Sequence, residues 1–227
     1  MTRTRNARVA GIAYLVYIAS ALPGMVLSSR AARGEGVAER LASISRHVPD
    51  MRAAFVLELI GCFCALVLAV TLYAITRDED PNLALLALTC RVAEGVVGAV
   101  SLPRGLERLW LATGADRVDP AAAAALGAYL LELPSWTSDL GATFFAVGST
   151  LFSYLFLRGR IVPVALAWLG VLASVLVVAL LPLQIVGIVG SPVTDLMWLP
   201  MLAFELVLAL WLIVKGVATP RSAPGPG

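Results

Sequence analysis

Six stretches of this chain are apolar over the length a helix needs to cross a lipid bilayer, and that feature leaves few folds open to it. Crossing the hydrocarbon takes about 20 predominantly apolar residues in helical form. The runs are Val9–Leu27, Ala53–Ile75, Leu83–Leu102, Trp136–Leu157, Ile161–Leu181 and Leu196–Val214. Water is absent from that layer, so each backbone N–H and C=O must be satisfied within the segment or its partner strands, and runs this long read as helices. Apolar residues make up 59% of the chain and charged residues 14%, and mean hydropathy is +0.88, far from the balance of a soluble domain. The expected fold is an all-α integral membrane protein, a bundle of about six transmembrane helices.

The start, "MTRTRNARVAGIAYLVYIASA", imitates a secretory signal, with Ala19-Ser20-Ala21 resembling a cleavage site. The apolar character continues through Leu22–Leu27, and Pro23 falls two residues beyond the nominal cut. The segment is therefore read as the first transmembrane helix. Residues 1–217 are expected to form one transmembrane domain, followed by a Pro- and Gly-rich disordered tail, 218–227.

The connections differ in length. Ser28–Arg52 is a polar loop whose "GEGVAERLASISRHVPD" portion is expected to hold a short amphipathic helix ending before Pro49. Pro103–Ser135 is a second long connection. Within it "VDPAAAAALGAYLLEL" reads as an interfacial helix in the outer loop, with Asp119 as N-cap and Pro120 in the first turn, and Pro134 separates it from the next span. Basic residues are even by side, but the flanks nearest the helix ends favour one orientation. "MTRTRNAR" leads the first helix and "RGR" the fifth, whereas "PLQIVGIVGSPVTD" has no Lys or Arg. Both termini are expected inside, with Trp136 and Trp198 at the outer interface and Tyr73 and Tyr154 at the inner one. A weak repeat shifted by 81 residues lays Glu58 on Asp139, Tyr73 on Tyr154 and Arg77 on Arg158.

Net charge is +2, with no basic cluster interleaved with aromatics, so nucleic acid is excluded as a partner. Cys62, Cys64 and Cys90 lie in apolar runs and read as buried thiols, and the single histidine, His47, sits in a polar loop. No metal site and no cofactor is expected. Ser-His-Asp order, nucleophile elbow and Walker loop are all missing from the sequence. Gly95 and Gly98 read as close helix packing, and "RDED", Arg77–Asp80, as a solvated turn without partners.

Five charges remain inside the spans: Glu58, Arg91, Glu94, Asp139 and Glu205. An ionised side chain at the bilayer centre costs roughly 2.5–3.5 kcal/mol on insertion scales, so such groups face the bundle interior and pair. Arg91 and Glu94 are three apart and share a helix face. Their depths place the four acids in the outer half of the bilayer, around one polar chamber with Arg91 toward its floor. Four carboxylates and one guanidinium do not balance. Either some acids hold protons, or a cation or cationic ligand completes the site. A packing role, with each acid bonded to a neighbouring helix, is the alternative. It weighs most for Glu58 and Asp139, which are shallow enough to snorkel, and least for the deeper Arg91, Glu94 and Glu205.

"RVAGIAYLVYI" (Arg8–Ile18), "CRVAEG" (Cys90–Gly95), "SDLGATFF" (Ser138–Phe145), Leu199-Pro200 and "ELVLALWLIVKG" (Glu205–Gly216) resemble a bacterial family of multi-pass membrane proteins, domain of unknown function 4386. The resemblance covers nearly the whole chain. It implies about six helices, charged residues at Arg91, Glu94, Asp139 and Glu205, and a bacterial cytoplasmic membrane; it implies no activity. Three functional classes follow. Small-solute or cation/proton-linked transport and a non-catalytic sensor or scaffold holding a lipid or small ligand stand nearly level; an intramembrane acid–base enzyme acting on a lipid has less support, and a non-enzymatic role is the expectation. The bilayer itself is the expected partner, with a small molecule, lipid or cation as the ligand of the polar centre.

Overall fold

A computed structural model describes residues 2–114, 119–132 and 136–218. Among them the regular structure is helical: α1 (Arg3–Ala31), α2 (Val37–Arg46), α3 (Val48–Thr76), α4 (Pro81–Ser101), α5 (Pro103–Gly114), α6 (Pro120–Glu132), α7 (Trp136–Arg158), α8 (Val164–Ile185) and α9 (Ser191–Val214). Six helices are long and apolar enough to cross a membrane. Each overlaps one of the six apolar runs. The tail from residue 219, Pro134 and the side chain of Trp136 lie outside what the structure describes.

The long helices close into a ring in chain order. α1 packs on α3, α3 on α4, α4 on α7, α7 on α8, α8 on α9, and α9 returns to α1. Small residues set the seams, as expected where apolar lipid offers no hydrophobic drive and close backbone approach supplies the attraction. A Cβ on Gly11 of α1 would stand 2.6 Å from the Ala209 carbonyl oxygen of α9, and one on Gly95 of α4 would stand 3.1 Å from that of Cys62 in α3. The interior is filled by buried apolar side chains, among them Leu68, Leu72, Phe152, Phe156, Phe204 and Leu208. Cys64 and Cys90 are buried and Cys62 half-buried, all as free thiols.

Helix limits follow local chemistry. Asp80 caps α4, accepting from the Leu83 N–H at 3.1 Å, with Pro81 in the first turn. Arg160 adopts φ 47° in the tight turn after α7, and α8 begins only beyond Pro163, three residues later than the apolar run suggests. α1 and α3 extend past their apolar runs, so the connection expected over Ser28–Arg52 narrows to a turn, α2 and one more residue.

α2, α5 and α6 assemble over one end of the ring as a lid with its own small apolar clusters: Ile44, Met51 and Leu109 meet Ala31, and Leu111, Ala123 and Leu130 pack together with Leu41. Asp119 caps α6 as expected, accepting from the N–H groups of Ala121 at 2.9 Å and Ala122 at 3.2 Å. The other end of α6 is held by three arginines. Arg104 Nη2 donates to the Tyr129 carbonyl at 3.2 Å, Arg108 Nε to Leu130 at 2.8 Å, and Arg40 Nη1 to Leu131 at 3.3 Å. These are three of the four carbonyls a helix C-terminus leaves unpaired, where cations also meet the negative end of the helix dipole.

At the opposite end the "RDED" turn is not a solvated turn without partners. Arg158 Nη1 donates to Asp80 at 3.0 Å, Arg3 stands 3.7 Å from Glu79, and Glu79 packs against Gly159. The turn between α3 and α4 is thereby tied to α1 and α7. The Leu83 N–H foremost, joined by the Arg158 guanidinium, holds the Asp80 carboxyl below its ordinary range, outweighing the opposing effect of desolvation.

Candidate functional site

α4 places Arg91 at its midpoint and Glu94 one turn further, on the same face. Arg91 Nη1 lies 2.9 Å from Glu94 Oε2 in a fully enclosed setting. The pair is close enough for full Coulomb attraction but is not aligned as a hydrogen bond. The other oxygen, Glu94 Oε1, accepts from the Tyr17 hydroxyl at 3.0 Å. Tyr17 is the midpoint of α1, as Arg91 is of α4, so the pair sits at mid-height of the bundle.

Aromatic rings cover the guanidinium. Its carbon is 4.9 Å from the Phe145 ring centroid and 5.9 Å from that of Tyr17, within cation–π range. Phe145 is backed by Trp198 at 5.9 Å between ring centroids. Trp198, half-buried near the start of α9, thus packs one side of its ring against the bundle. Space for the arginine stem comes from Gly148 of α7, where a Cβ would stand 3.2 Å from Arg91 Cγ.

Glu205 of α9 completes the centre. It is buried, it interacts electrostatically with Arg91, Glu94 and the two tyrosines Tyr14 and Tyr17, and its Oε1 has no hydrogen-bond partner. Arg91 Nε and Nη2 are likewise enclosed and unpartnered. α9 begins at Ser191, earlier than the apolar run, so Glu205 falls just past its midpoint. Arg91, Glu94 and Glu205 thus meet near the middle of their helices, in a centre drawn with Tyr17 and Phe145 from α1, α4, α7 and α9.

Two of the five sequence candidates stand apart from it. Glu58 is exposed on α3 near the lid, with Arg108 as its charged neighbour. Asp139 is half-buried in the first turn of α7, and its backbone carbonyl accepts from Thr143 Oγ1 at 2.8 Å. Among the described residues no hydrogen bond or ion pair joins either to Arg91 or Glu94. Sequence reasoning missed Tyr17, Tyr14 and Phe145. Their signal was available: a buried phenol seeks a partner for its hydroxyl.

The centre can do a limited set of things. One guanidinium faces two carboxylates, with a phenol donating to one of them. If both acids were ionised, a negative charge would stand uncompensated in a dry interior, which is costly unless a proton or cation joins it.

A ring of six membrane-spanning helices around a buried ion pair defines an all-α multi-pass membrane protein. The chain belongs to the family described as domain of unknown function DUF4386, whose sequence model matches residues 9–216. No curated protein and no solved structure matches it.

Proposed function

We propose that the chain is a proton-linked small-solute transport protein of the bacterial cytoplasmic membrane, with both termini cytoplasmic and the coupling proton held among Arg91, Glu94 and Glu205. The observation that carries this reading is the enclosed Glu205 Oε1, without a partner beside an ion pair that is already charge-balanced. A protonated Glu205 is neutral and stable there; its deprotonation leaves a charge that only Arg91, a solute cation or a rearranged bundle can offset. Loading and unloading of one proton then favours different arrangements of the same helices. Glu58 and Asp139, toward the lid-side ends of α3 and α7, are assigned to the polar approach from that side.

The test is infrared difference spectroscopy on proteoliposomes between alkaline and acid buffer, with potential-driven proton entry followed by an entrapped pH dye. The wild type should show a protonated-carboxyl band that Glu205→Gln removes, and proton entry that Glu205→Gln and Glu94→Gln both suppress. An unchanged band together with unchanged flux sinks the proposal. A second reading, a non-catalytic sensor or scaffold, is favoured by the tight aromatic enclosure of Arg91 by Phe145 and Tyr17; a proton band without any flux would select it.

A further inference from the structure

Where α1, α2 and α3 meet beneath the lid, a cleft of about 300 Å³ is lined by Arg30, Arg33, Ser43, His47 and Asp50. Arg30 lies in the last turn of α1, Arg33 in the turn after it, and Asp50 in the first turn of α3. Among the described residues neither arginine makes an ion pair with a carboxylate, Asp50 included. The cleft thus holds two guanidiniums and one acid, a net positive charge. This sets it apart from the lid arginines Arg40, Arg104 and Arg108, whose guanidiniums are engaged by the carbonyls of α6.

His47 adds a fixed polarity. Its Nδ1 lies 2.9 Å from the Ser43 carbonyl oxygen, which can only accept, so Nδ1 carries the hydrogen and Nε2 is the ring's open position. An apolar helix face leads toward the cleft from α1. Leu22 and Val26 precede Arg30 at four-residue steps, share its helix face, and are exposed although they belong to a membrane-spanning helix.

We infer that this cleft binds the phosphodiester headgroup of a glycerophospholipid, with Arg30 and Arg33 on the phosphate and an acyl chain along Val26 and Leu22. Charge complementarity selects a monoanion, and guanidinium forks match phosphate oxygens. The apolar stripe below selects an amphiphile over a free anion. Asp50 and His47 Nε2 face the remainder of the headgroup, where hydroxyl or ammonium groups find acceptors. Basic pockets between helix ends at the membrane surface are a recurrent lipid-recognition chemistry.

The experiment is native mass spectrometry of the full-length protein in detergent, titrated with phosphatidylglycerol, with an uncharged glycolipid of the same chains, and with inorganic phosphate. Arg30→Gln with Arg33→Gln is compared with Arg46→Gln with Arg52→Gln, an equal charge change on exposed residues outside the cleft. Phosphatidylglycerol should bind the wild type and the Arg46/Arg52 variant alike and the Arg30/Arg33 variant about tenfold or more weakly, the loss expected for a charge-assisted contact. Equal loss in both variants overturns the assignment, since bulk charge then explains it. Equal binding of the glycolipid overturns it too, and displacement of the lipid by an equal concentration of inorganic phosphate reassigns the cleft to a free anion. All variants keep every residue of the mid-height centre, so failure here leaves the transport reading untouched.

Discussion

Gly148 of α7 lies against the aliphatic stem of Arg91: a Cβ there would stand 3.2 Å from Arg91 Cγ and 3.3 Å from Cδ. The absent side chain is what lets α4 bring a full guanidinium into the ring between the Phe145 and Tyr17 rings. Gly148→Ala should carry a measurable loss, because the Arg91 stem can give by a few tenths of an ångström but Cys90 Cβ, also 3.2 Å from the added carbon, is fixed to the α4 backbone. Gly148→Val should cost about 1–3 kcal/mol through overpacking. Thermal unfolding of the detergent-solubilised variants checks the order; equal midpoints for Ala and Val would show that α7 does not constrain Arg91.

Breaking the ion pair from either side should be unequal. Arg91→Met leaves Glu94 and Glu205 buried without a cation and should destabilise by about 3–5 kcal/mol, the usual penalty for an orphaned buried charge. Glu94→Gln keeps Glu205 near the guanidinium and lets the Tyr17 hydroxyl still donate to the amide oxygen, so its cost should be smaller. The double variant should be less destabilised than the sum of the singles, as for residues in one network. Strict additivity in a double-mutant cycle would deny the coupling.

The lid is held by carbonyl capping and not by its surface charges. Arg108 Nε makes the shortest of the three arginine bonds to α6, 2.8 Å to the Leu130 carbonyl. Arg108→Ala should loosen α6 by about 1.5–3 kcal/mol, the worth of a hydrogen bond to a charged group. Hydrogen exchange in α6 should accelerate in that variant and stay unchanged in Arg46→Ala, which alters an exposed arginine at the end of α2.

The membrane-spanning architecture was legible because length and apolarity alone decide it. The rotation of each helix about its axis was not. α3 is apolar on nearly every face, so depth along it placed Glu58 among the acids of the centre, although its side chain is exposed. Arg91 and Glu94 were legible as a pair because three-residue spacing fixes their common face whatever the helix does. Tyr17 escaped notice since its ring blends into an apolar run and only its hydroxyl is polar. α5 was missed although "PRGLERLWLATG" carries Leu106, Leu109 and Trp110 at helical spacing, because charged residues between them made the stretch read as loop.

Acid should loosen the end opposite the lid first. Asp80 is held below its ordinary carboxylate value by the Leu83 N–H and then by Arg158, so the folded state favours its ionised form. The stability it contributes is fully present above the unfolded value and is lost as pH falls through the lower folded one. The window therefore lies below about pH 4, the ordinary aspartate range. Asp80→Asn removes that contribution at every pH, so the gap in unfolding midpoint between wild type and variant should be largest near neutrality and close at the acid end. Because the bridge to Arg158 is exposed, added salt should narrow the neutral-pH gap as well. A gap that widens on acidification would reverse the sign and show that Asp80 is protonated in the folded protein, leaving Arg158 without its partner and the tie between α4 and α7 resting on packing alone.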